Sequence, residues 1–98
     1  MARFDVYETA NDTLVVDYQA DSLAYLNTRL VIPLMPPELE PKASDRLNPA
    51  ILINDKRYVL YPQFAASLAV TELGGYVTSL ADRDFAIIDA FDMLTTGY

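Results

Sequence analysis

Alternating apolar and polar residues fill most of the chain and predict a series of short antiparallel strands. The first two strands are expected at residues 3–7 and 13–18, joined by a loop at residues 8–12, so that they form a hairpin. A third strand is expected at residues 29–34, where a continuous apolar run indicates burial on both faces. Pro33 has no N–H group, and we expect it to limit pairing at the far end of this strand.

The middle of the chain carries the clearest hairpin signal. Asn54 and Asp55 separate apolar runs at residues 50–53 and 56–61, and both residue types favour a tight turn. The preceding segment, residues 36–41, contains three prolines and is therefore expected to be extended or turned, because proline does not fit a helix interior.

Two more strands are expected before the end of the chain. One lies at residues 67–71. Gly74 and Gly75 then predict a turn, because adjacent glycines commonly mark one, and residues 76–78 predict a short edge strand.

The last stretch of the chain, residues 82–98, is the one long segment with helical periodicity. Asp82 is the predicted N-cap, Asp84 places negative charge in the first turn, and Gly97 is the predicted C-terminal stop. The apolar face consists of Ile87, Ile88, Ala90, Phe91 and Leu94, and the opposite face of Asp82, Asp89, Asp92 and Thr96.

Two side chains of this helix have more than one interpretation. Asp92 lies in the second half of the helix with no Lys or Arg after it, so its charge opposes the helix dipole. It is either a solvated surface residue or a contact for a cationic partner. Phe85 lies beside the acidic face and is either the edge of the core or part of a contact surface.

The order of elements predicts an α+β fold, in which many short antiparallel strands are followed by a single helix. We expect a small barrel-like antiparallel sheet capped by the C-terminal helix. The 98 residues form one predicted domain, 1–98, long enough for one modest core.

Composition narrows the chemistry. The chain contains no Cys and no His, which removes thiolate nucleophiles, imidazole bases and the usual zinc ligands, and we expect neither a metal nor a cofactor. The net charge of −7 argues against direct nucleic-acid binding, which needs clustered Lys and Arg. The sequence shows neither a signal peptide nor an apolar run long enough to span a membrane, so a cytoplasmic protein is expected.

Two other groupings allow a chemical interpretation beside a structural one. Asp82, Asp89 and Asp92 could bind Mg²⁺ or Ca²⁺, although a solvated acidic face explains them better. Tyr58 and Tyr61 follow the basic pair of the hairpin and could stack on RNA bases, although strand aromatics usually serve the core.

The order and spacing of several blocks resemble the CcdB toxins of type II toxin–antitoxin pairs. These blocks are Leu-Val-Ile-Pro-Leu at residues 30–34, the Asn54-Asp55 turn, residues 66–74 and the closing helix. The likeness covers nearly the whole chain. It implies a MazF/CcdB-type fold, a homodimer, and a non-enzymatic toxin that binds the A subunit of DNA gyrase and traps the cleaved-DNA complex. It also implies a role in plasmid maintenance and neutralisation by a CcdA-like antitoxin.

The resemblance assigns the gyrase-binding residues to the helix end and to a turn near the second strand. They are Ser22, Leu23, Asp92, Thr95, Thr96, Gly97 and Tyr98. The family ends in Trp-Gly-Ile, whereas this chain ends in Thr96-Gly97-Tyr98, so Thr96 replaces the Trp. A buried Trp can carry several kcal/mol of binding, which makes this the main departure from the family pattern.

The resemblance assigns antitoxin binding to the first hairpin loop, with Glu8, Asn11, Asp12 and Thr13 as the candidate residues. The family's loop is rich in Arg and Lys, whereas this loop is acidic. Because opposite charges attract and like charges exclude wrong partners, we expect an antitoxin that is basic or neutral here. The antitoxin of the family's type member is expected to neutralise this chain poorly.

Two alternatives stay open. One is an mRNA endoribonuclease of the MazF type, in which Arg29, Arg46 or Arg57 would work with an Asp. The other is a family member that no longer poisons gyrase and only binds antitoxin, which the substitution at Thr96 suggests.

Overall fold

A computed structural model describes residues 2–97 of the chain and contains seven strands and one α-helix in that part. The strands are β1 (Asp5–Thr9), β2 (Leu14–Asp17), β3 (Thr28–Met35), β4 (Ala50–Ile53), β5 (Lys56–Leu60), β6 (Ala66–Ala69) and β7 (Leu73–Ser79), and the helix is α1 (Asp84–Thr96). Single 3₁₀ turns occupy Asp21–Leu23, Pro62–Phe64, Val70–Glu72 and Ala81–Arg83.

The strands form one antiparallel sheet in the order β4-β5-β3-β2-β1-β7. β3 is the longest strand, and its free side is shared by β6 at one end and β5 at the other. The sheet curls into a half-barrel, and α1 packs against it. The predicted α+β fold of MazF/CcdB type is therefore confirmed.

The main core joins the sheet to the helix. Its buried members are Phe4, Val6, Leu14, Val16, Ile32, Leu34, Ile51, Ile53, Leu60, Leu80, Ile87 and Ala90. A smaller cluster of Tyr7, Val15 and Val31 lies on the other face of the sheet, because neighbouring strand residues point to opposite faces. β2 and the middle of β3 are therefore buried on both sides, as the apolar run in β3 predicts.

The two predicted hairpins are present, with small shifts at their ends. The first strand begins at Asp5 and includes Glu8 and Thr9, so the loop is shorter than expected. In the second hairpin Asn54 and Asp55 both have positive φ angles, 52° and 66°, as a tight hairpin turn requires.

The expectation for Pro33 is wrong. β3 continues to Met35 and pairs on both sides of the proline, with Pro33 opposite Val15. The N–H of Tyr61 donates to the Pro33 carbonyl over 3.0 Å. Proline has no N–H group to donate, but its carbonyl can still accept a hydrogen bond, and pairing at this position uses the carbonyl.

The turn predicted at Gly74 and Gly75 is also wrong, because both glycines lie inside the edge strand β7. Between the pairs Tyr7–Tyr76 and Thr9–Leu73, β7 holds one residue more than β1, which is a β-bulge. A Cβ atom on Gly74 would lie 2.5 Å from the backbone oxygen of Glu8. The glycine therefore permits a close approach of two strands and does not mark a turn.

The helix begins later than predicted. Asp82 is not the N-cap, because it lies in the 3₁₀ turn Ala81–Arg83, and α1 starts at Asp84 with no side-chain cap. The predicted stop is confirmed: Gly97 adopts a left-handed conformation with φ of 81°, and its N–H donates to the Met93 carbonyl over 3.0 Å. Of the predicted apolar face, Leu94 is 43% exposed and does not belong to the core.

Candidate functional site

The end of α1 is exposed and is tied back onto the helix. The hydroxyl of Thr95 donates to the Phe91 carbonyl over 3.1 Å, and the hydroxyl of Thr96 donates to the Asp92 carbonyl over 2.6 Å. Such bonds let threonine cover carbonyls that the helix leaves open at its C-terminus. Thr95, Thr96 and Gly97 thus present a compact polar end, while the predicted site residue Tyr98 lies outside the described residues.

The other predicted segment, Ser22 and Leu23, belongs to the 3₁₀ turn Asp21–Leu23, which is exposed throughout. Gln19 holds this turn to the sheet with both ends of its amide. Its Nε2 donates to the Leu23 carbonyl over 2.9 Å, and its Oε1 accepts from the Leu30 N–H over 3.0 Å. The turn is therefore anchored although it is exposed.

The residue that connects this turn to the helix is Tyr18. Its ring stacks on the ring of Phe91 in α1, with centroids 4.7 Å apart. The guanidinium group of Arg3 lies 4.6 Å from the centroid of the Tyr18 ring. The backbone N–H of Arg3 donates to the carboxylate of Asp21 over 2.8 Å. A continuous path of contacts thus runs from the predicted turn to the predicted helix face.

The electrostatics of this path also involve Asp92. Burial raises the pKa of Tyr18 above its ordinary value, Arg3 lowers it, and the Asp92 carboxylate raises it further. Asp92 itself is exposed. The contacts therefore link the Asp21–Leu23 turn to Phe91 in α1 through Arg3 and Tyr18, side chains that sequence reasoning did not assign to the site. Arg3 and Tyr18 leave no periodic pattern that would have identified them.

A second charged group lies on the flank of the helix. The guanidinium of Arg46 donates two hydrogen bonds to the carboxylate of Asp89, over 2.9 and 3.0 Å. These bonds raise the pKa of Arg46 and lower the pKa of Asp89 from their ordinary values. Beside the pair, Phe85 is 80% exposed, so the interpretation of this ring as core edge is wrong.

The predicted antitoxin-binding residues surround the turn between β1 and β2. Glu8, Asn11 and Asp12 are exposed and Thr13 is half-buried. The turn is closed by Thr9, whose N–H donates to the Thr13 carbonyl over 2.9 Å and whose carbonyl accepts from the Asp12 N–H over 3.1 Å. Asp12 has a φ of 60°, so the loop is short and tightly folded.

Concave surfaces lie on both sides of this loop. One, of about 500 Å³, extends towards Leu68 and Glu72 and includes Asn11 and Thr13. The other, of about 280 Å³, is bordered by Asp12 and reaches the second hairpin. The structure thus places three of the four predicted residues on the rims of concave surfaces, whereas Glu8 stands on the strand beside them.

Arg–Asp pairs are the feature that the ribonuclease alternative requires. Arg29 contacts Asp17 through both Nε and Nη2, but the two side chains are only 1% and 0% exposed. Arg46 and Asp89 form an exposed pair, and Arg57 forms no ion pair within residues 2–97. One pair is thus inaccessible to RNA, and the other is a surface ion pair.

The described residues contain neither a cluster of metal ligands nor a membrane-spanning helix. Across residues 2–97 the acidic side chains, including Asp82, Asp89 and Asp92, form no group of three that could hold a metal ion. The same part of the chain has no helix of the length and apolarity needed to cross a bilayer.

Tyr61 donates its hydroxyl to the Glu40 carbonyl over 2.6 Å and is fully buried, so it does not offer a base-stacking surface.

Several solved structures have a similar fold, and three of them are described below. An endoribonuclease from mycobacterial species is 15% identical, with a TM-score of 0.80 over 98% of this chain and 91% of that one. An endoribonuclease in complex with its cognate antitoxin, also from mycobacterial species, is 14% identical, with a TM-score of 0.79 over 98% and 95%. The Mycobacterium tuberculosis toxin MazF-mt6 is 13% identical, with a TM-score of 0.76 over 96% and 97%.

At these identities the likeness is one of fold, and it defines the chain as a small half-barrel protein of the MazF/CcdB type. The chain belongs to the CcdB family, because the family described as CcdB protein matches residues 3–97. The predicted resemblance to the CcdB toxins of toxin–antitoxin pairs is thereby confirmed.

Proposed function

We propose that this chain is the toxin of a type II toxin–antitoxin pair and that it binds the A subunit of DNA gyrase, trapping the complex with cleaved DNA. Membership of the CcdB family over residues 3–97 supports the toxin role. The observation that supports a single gyrase-binding surface is the stacking of Tyr18 on Phe91, which links the Asp21–Leu23 turn to the helix. In this proposal the toxin acts by binding and is not an enzyme.

The chemistry of the surface favours a partner with a cationic group. Asp92 is exposed near the C-terminal end of α1, where the helix dipole opposes a carboxylate and the last turn contains no basic residue. An Arg of gyrase that reached Asp92 would relieve this and form a charge-assisted hydrogen bond. Leu23, 40% exposed, supplies an apolar contact on the same surface.

We propose that the toxin is a homodimer in which two such surfaces form one site. Apolar side chains stand exposed next to the turn, with Tyr25 at 77% and Leu26 at 39%. A symmetric contact would cover them and bring equivalent residues of both chains to a shared axis. Equilibrium ultracentrifugation at micromolar concentration tests this, and a monomer there would contradict the dimer.

The partner that neutralises the toxin is proposed to be a CcdA-like antitoxin bound at the β1–β2 loop. A protein of similar fold is solved in complex with its cognate antitoxin, which supports an antitoxin partner for this chain. Glu8 near the end of β1 and Asp12 in the loop are two exposed carboxylates, so the antitoxin should be basic or neutral there. Because gyrase acts on DNA in the cytoplasm, the proposal places the toxin in that compartment.

A gyrase cleavage assay tests the proposal. Supercoiled plasmid, gyrase from the native host, ATP and the toxin are incubated, and linear DNA is measured after detergent treatment. Poisoning through the helix end is supported if wild type yields linear product and if Gly97→Arg, Asp92→Arg or removal of residues 96–98 abolishes it. Leu52→Ala should leave the yield of linear product unchanged. Leu52 is 65% exposed on β4 and serves as the matched surface control. A folded dimer that yields no linear product contradicts the proposal.

A second candidate function is RNA cleavage, which the fold shared with two endoribonucleases favours. The exposed Arg46–Asp89 pair is the accessible Arg–Asp arrangement within residues 2–97. Against it stands the charge of −7, because an RNA groove needs positive potential. RNA cleavage is supported if wild type cleaves a defined mRNA, Arg46→Gln abolishes this cleavage and Arg57→Gln leaves it intact. The absence of cleavage by wild type would exclude this candidate function.

A third candidate is a protein that only binds antitoxin. The observation that favours it is Thr96, which stands where the family has Trp and whose hydroxyl is turned back to the Asp92 carbonyl. Under this candidate, wild type is harmless in cells and Thr96→Trp becomes toxic. Wild-type toxicity in cells without antitoxin would exclude it.

A further inference from the structure

The concave surface between the two hairpins is apolar inside and charged at its edge. Its apolar lining consists of Leu14, Leu34, Met35, Pro36, Leu39 and Tyr58, and we call it the Leu39 cavity. Its volume of about 280 Å³ lies just below the range of about 300–1,000 Å³ that is usual for small-molecule sites. It is therefore large enough for a single bulky apolar side chain of a protein partner.

The cavity is largely pre-formed. Leu14 and Leu34 form its floor as a buried cross-strand pair of β2 and β3. Its outer wall is Leu39, which is 66% exposed and lies in a segment with prolines at 36, 37 and 41. The Leu39 N–H donates to the Pro36 carbonyl over 3.2 Å, which fixes the turn. Little conformational entropy would be lost when a side chain enters, because prolines already restrict the wall.

The charged edge indicates what should accompany that side chain. Asp12 and Lys56 both line the cavity and are exposed, and neither forms an ion pair within residues 2–97. Asp12 is held in place by the tight β1–β2 turn, with its N–H bound to the Thr9 carbonyl, whereas Lys56 carries a long flexible side chain. The fixed charge at the edge is therefore negative.

We propose that the Leu39 cavity receives a bulky apolar side chain of the antitoxin, and that a neighbouring Arg or Lys of the antitoxin binds Asp12. This inference rests on the proposed antitoxin partner and specifies how that partner is recognised. An apolar anchor supplies the affinity, and the cation selects an antitoxin with complementary charge.

Disulfide tethering tests the cavity directly, because the chain contains no Cys and an introduced one is unique. Lys56→Cys places a thiol at the edge of the cavity. Arg57→Cys is the matched control, since Arg57 is the next residue of β5, is also exposed and does not line the cavity. Each variant is equilibrated with reduced glutathione and one of three symmetrical disulfide probes, whose halves carry a hydroxyethyl group, a phenethyl group, or a phenethyl group with a guanidinium. The Cys thiolate takes one half of the probe by exchange, and the other half leaves as the free thiol.

The phenethyl probe should resist reduction at least about tenfold better than the hydroxyethyl probe at position 56, and no better at position 57, because burial of a ring supplies that preference. Leu39→Asp should remove it. The guanidinium should add about threefold, and Asp12→Asn should remove that gain alone. Equal resistance at positions 56 and 57, or a preference that survives Leu39→Asp, would overturn the inference.

The antitoxin itself is tested by calorimetry, using the purified product of the gene that adjoins the toxin gene. Leu39→Asp should weaken its binding at least about tenfold, and Leu52→Asp should not. The control is closely matched, since the two leucines are 66% and 65% exposed. Equal binding by Leu39→Asp, with circular dichroism unchanged, overturns the cavity but leaves the antitoxin proposal standing. No binding by wild type overturns both.

Discussion

The ring of Tyr18 stacks on the ring of Phe91 with their planes inclined by 26°, and this contact fastens the end of β2 to the middle of α1. Tyr18 follows the last residue of β2, and its N–H donates to the Leu30 carbonyl over 2.9 Å. Tyr18 is thus held by a hydrogen bond at its backbone and by stacking on one face of its ring. Together with the hydrogen bonds of Gln19 and the core contacts of α1, this contact sets the position of the helix relative to the Asp21–Leu23 turn.

Replacing Tyr18 by Ala should therefore lower the free energy of unfolding by about 2–3 kcal/mol, less than for a fully buried aromatic because Tyr18 is only partly buried. Tyr18→Phe keeps the ring and should stay within about 0.5 kcal/mol of wild type. Urea unfolding followed by circular dichroism measures both. A similar loss for the two variants would show that the hydroxyl, and not the stacked ring, holds the elements together.

The buried pair of Arg29 and Asp17 yields a stability prediction. Arg29→Met leaves the Asp17 carboxylate, 0% exposed, without its cation and should cost about 3–5 kcal/mol. The double variant Asp17→Leu with Arg29→Met should be more stable than Arg29→Met alone, because it leaves no uncompensated charge. Arg57→Met, on an exposed side chain, is the control and should change unfolding by under about 0.5 kcal/mol. A double variant less stable than the single one would contradict this account.

The Arg46–Asp89 pair yields a pH dependence. Hydrogen bonds from Arg46 lower the pKa of Asp89 below its ordinary value of 3.8, so the folded state favours the ionised carboxylate. The contribution is fully present above that ordinary value and is lost as the pH falls through the lower folded value. Between pH 5 and pH 3 the melting temperature of wild type should therefore fall more than that of Arg46→Gln.

High salt provides the control for this pH effect. Both side chains are substantially exposed, at 45% and 37%, so dissolved ions screen their attraction. At about 1 M salt the two proteins should lose the same number of degrees on acidification. An equal loss at low salt would mean that the pair adds nothing to stability.

Features set by local chemistry could be predicted from the sequence. Asn54 and Asp55 specify a hairpin because both tolerate the positive φ angles of its turn, and Gly97 ends the helix for the same reason. The roles of Pro33 and Asp82 could not be predicted in this way, because the N–H of Tyr61 pairs with the Pro33 carbonyl and a 3₁₀ turn that contains Asp82 precedes the helix. These are tertiary effects that no short window contains.

The same division applies to the candidate site. The resemblance predicts Ser22, Leu23 and Asp92 as site residues, but it does not predict the contacts by which Arg3 and Tyr18 link the turn to the helix. Arg3 and Tyr18 are distant in sequence from Asp92 and meet its neighbourhood only after the sheet has formed. The exposed Leu39 wall was likewise hidden, since a leucine among prolines gives no sign of whether it is buried.

The two glycines of β7 allow the sharpest test of this argument, since they are adjacent in sequence and differ in surroundings. A Cβ on Gly74 would lie 2.5 Å from the Glu8 backbone oxygen, whereas a Cβ on Gly75 meets no atom within 4 Å. Gly74→Ala should therefore push β7 away from β1 and cost about 1–3 kcal/mol, and Gly75→Ala should cost under about 0.5.

The functional consequence follows from the position of Glu8, which precedes the loop proposed to bind antitoxin. Separation of β7 from β1 beside Glu8 should weaken antitoxin binding in Gly74→Ala but leave gyrase poisoning intact, since neither strand contains a residue of the proposed gyrase-binding surface. Calorimetry and the cleavage assay measure the two activities separately. Equal stability of the two alanine variants would mean that the bulge accommodates a methyl group at either position. The close approach of Gly74 to Glu8 would then not explain why a glycine occupies that position.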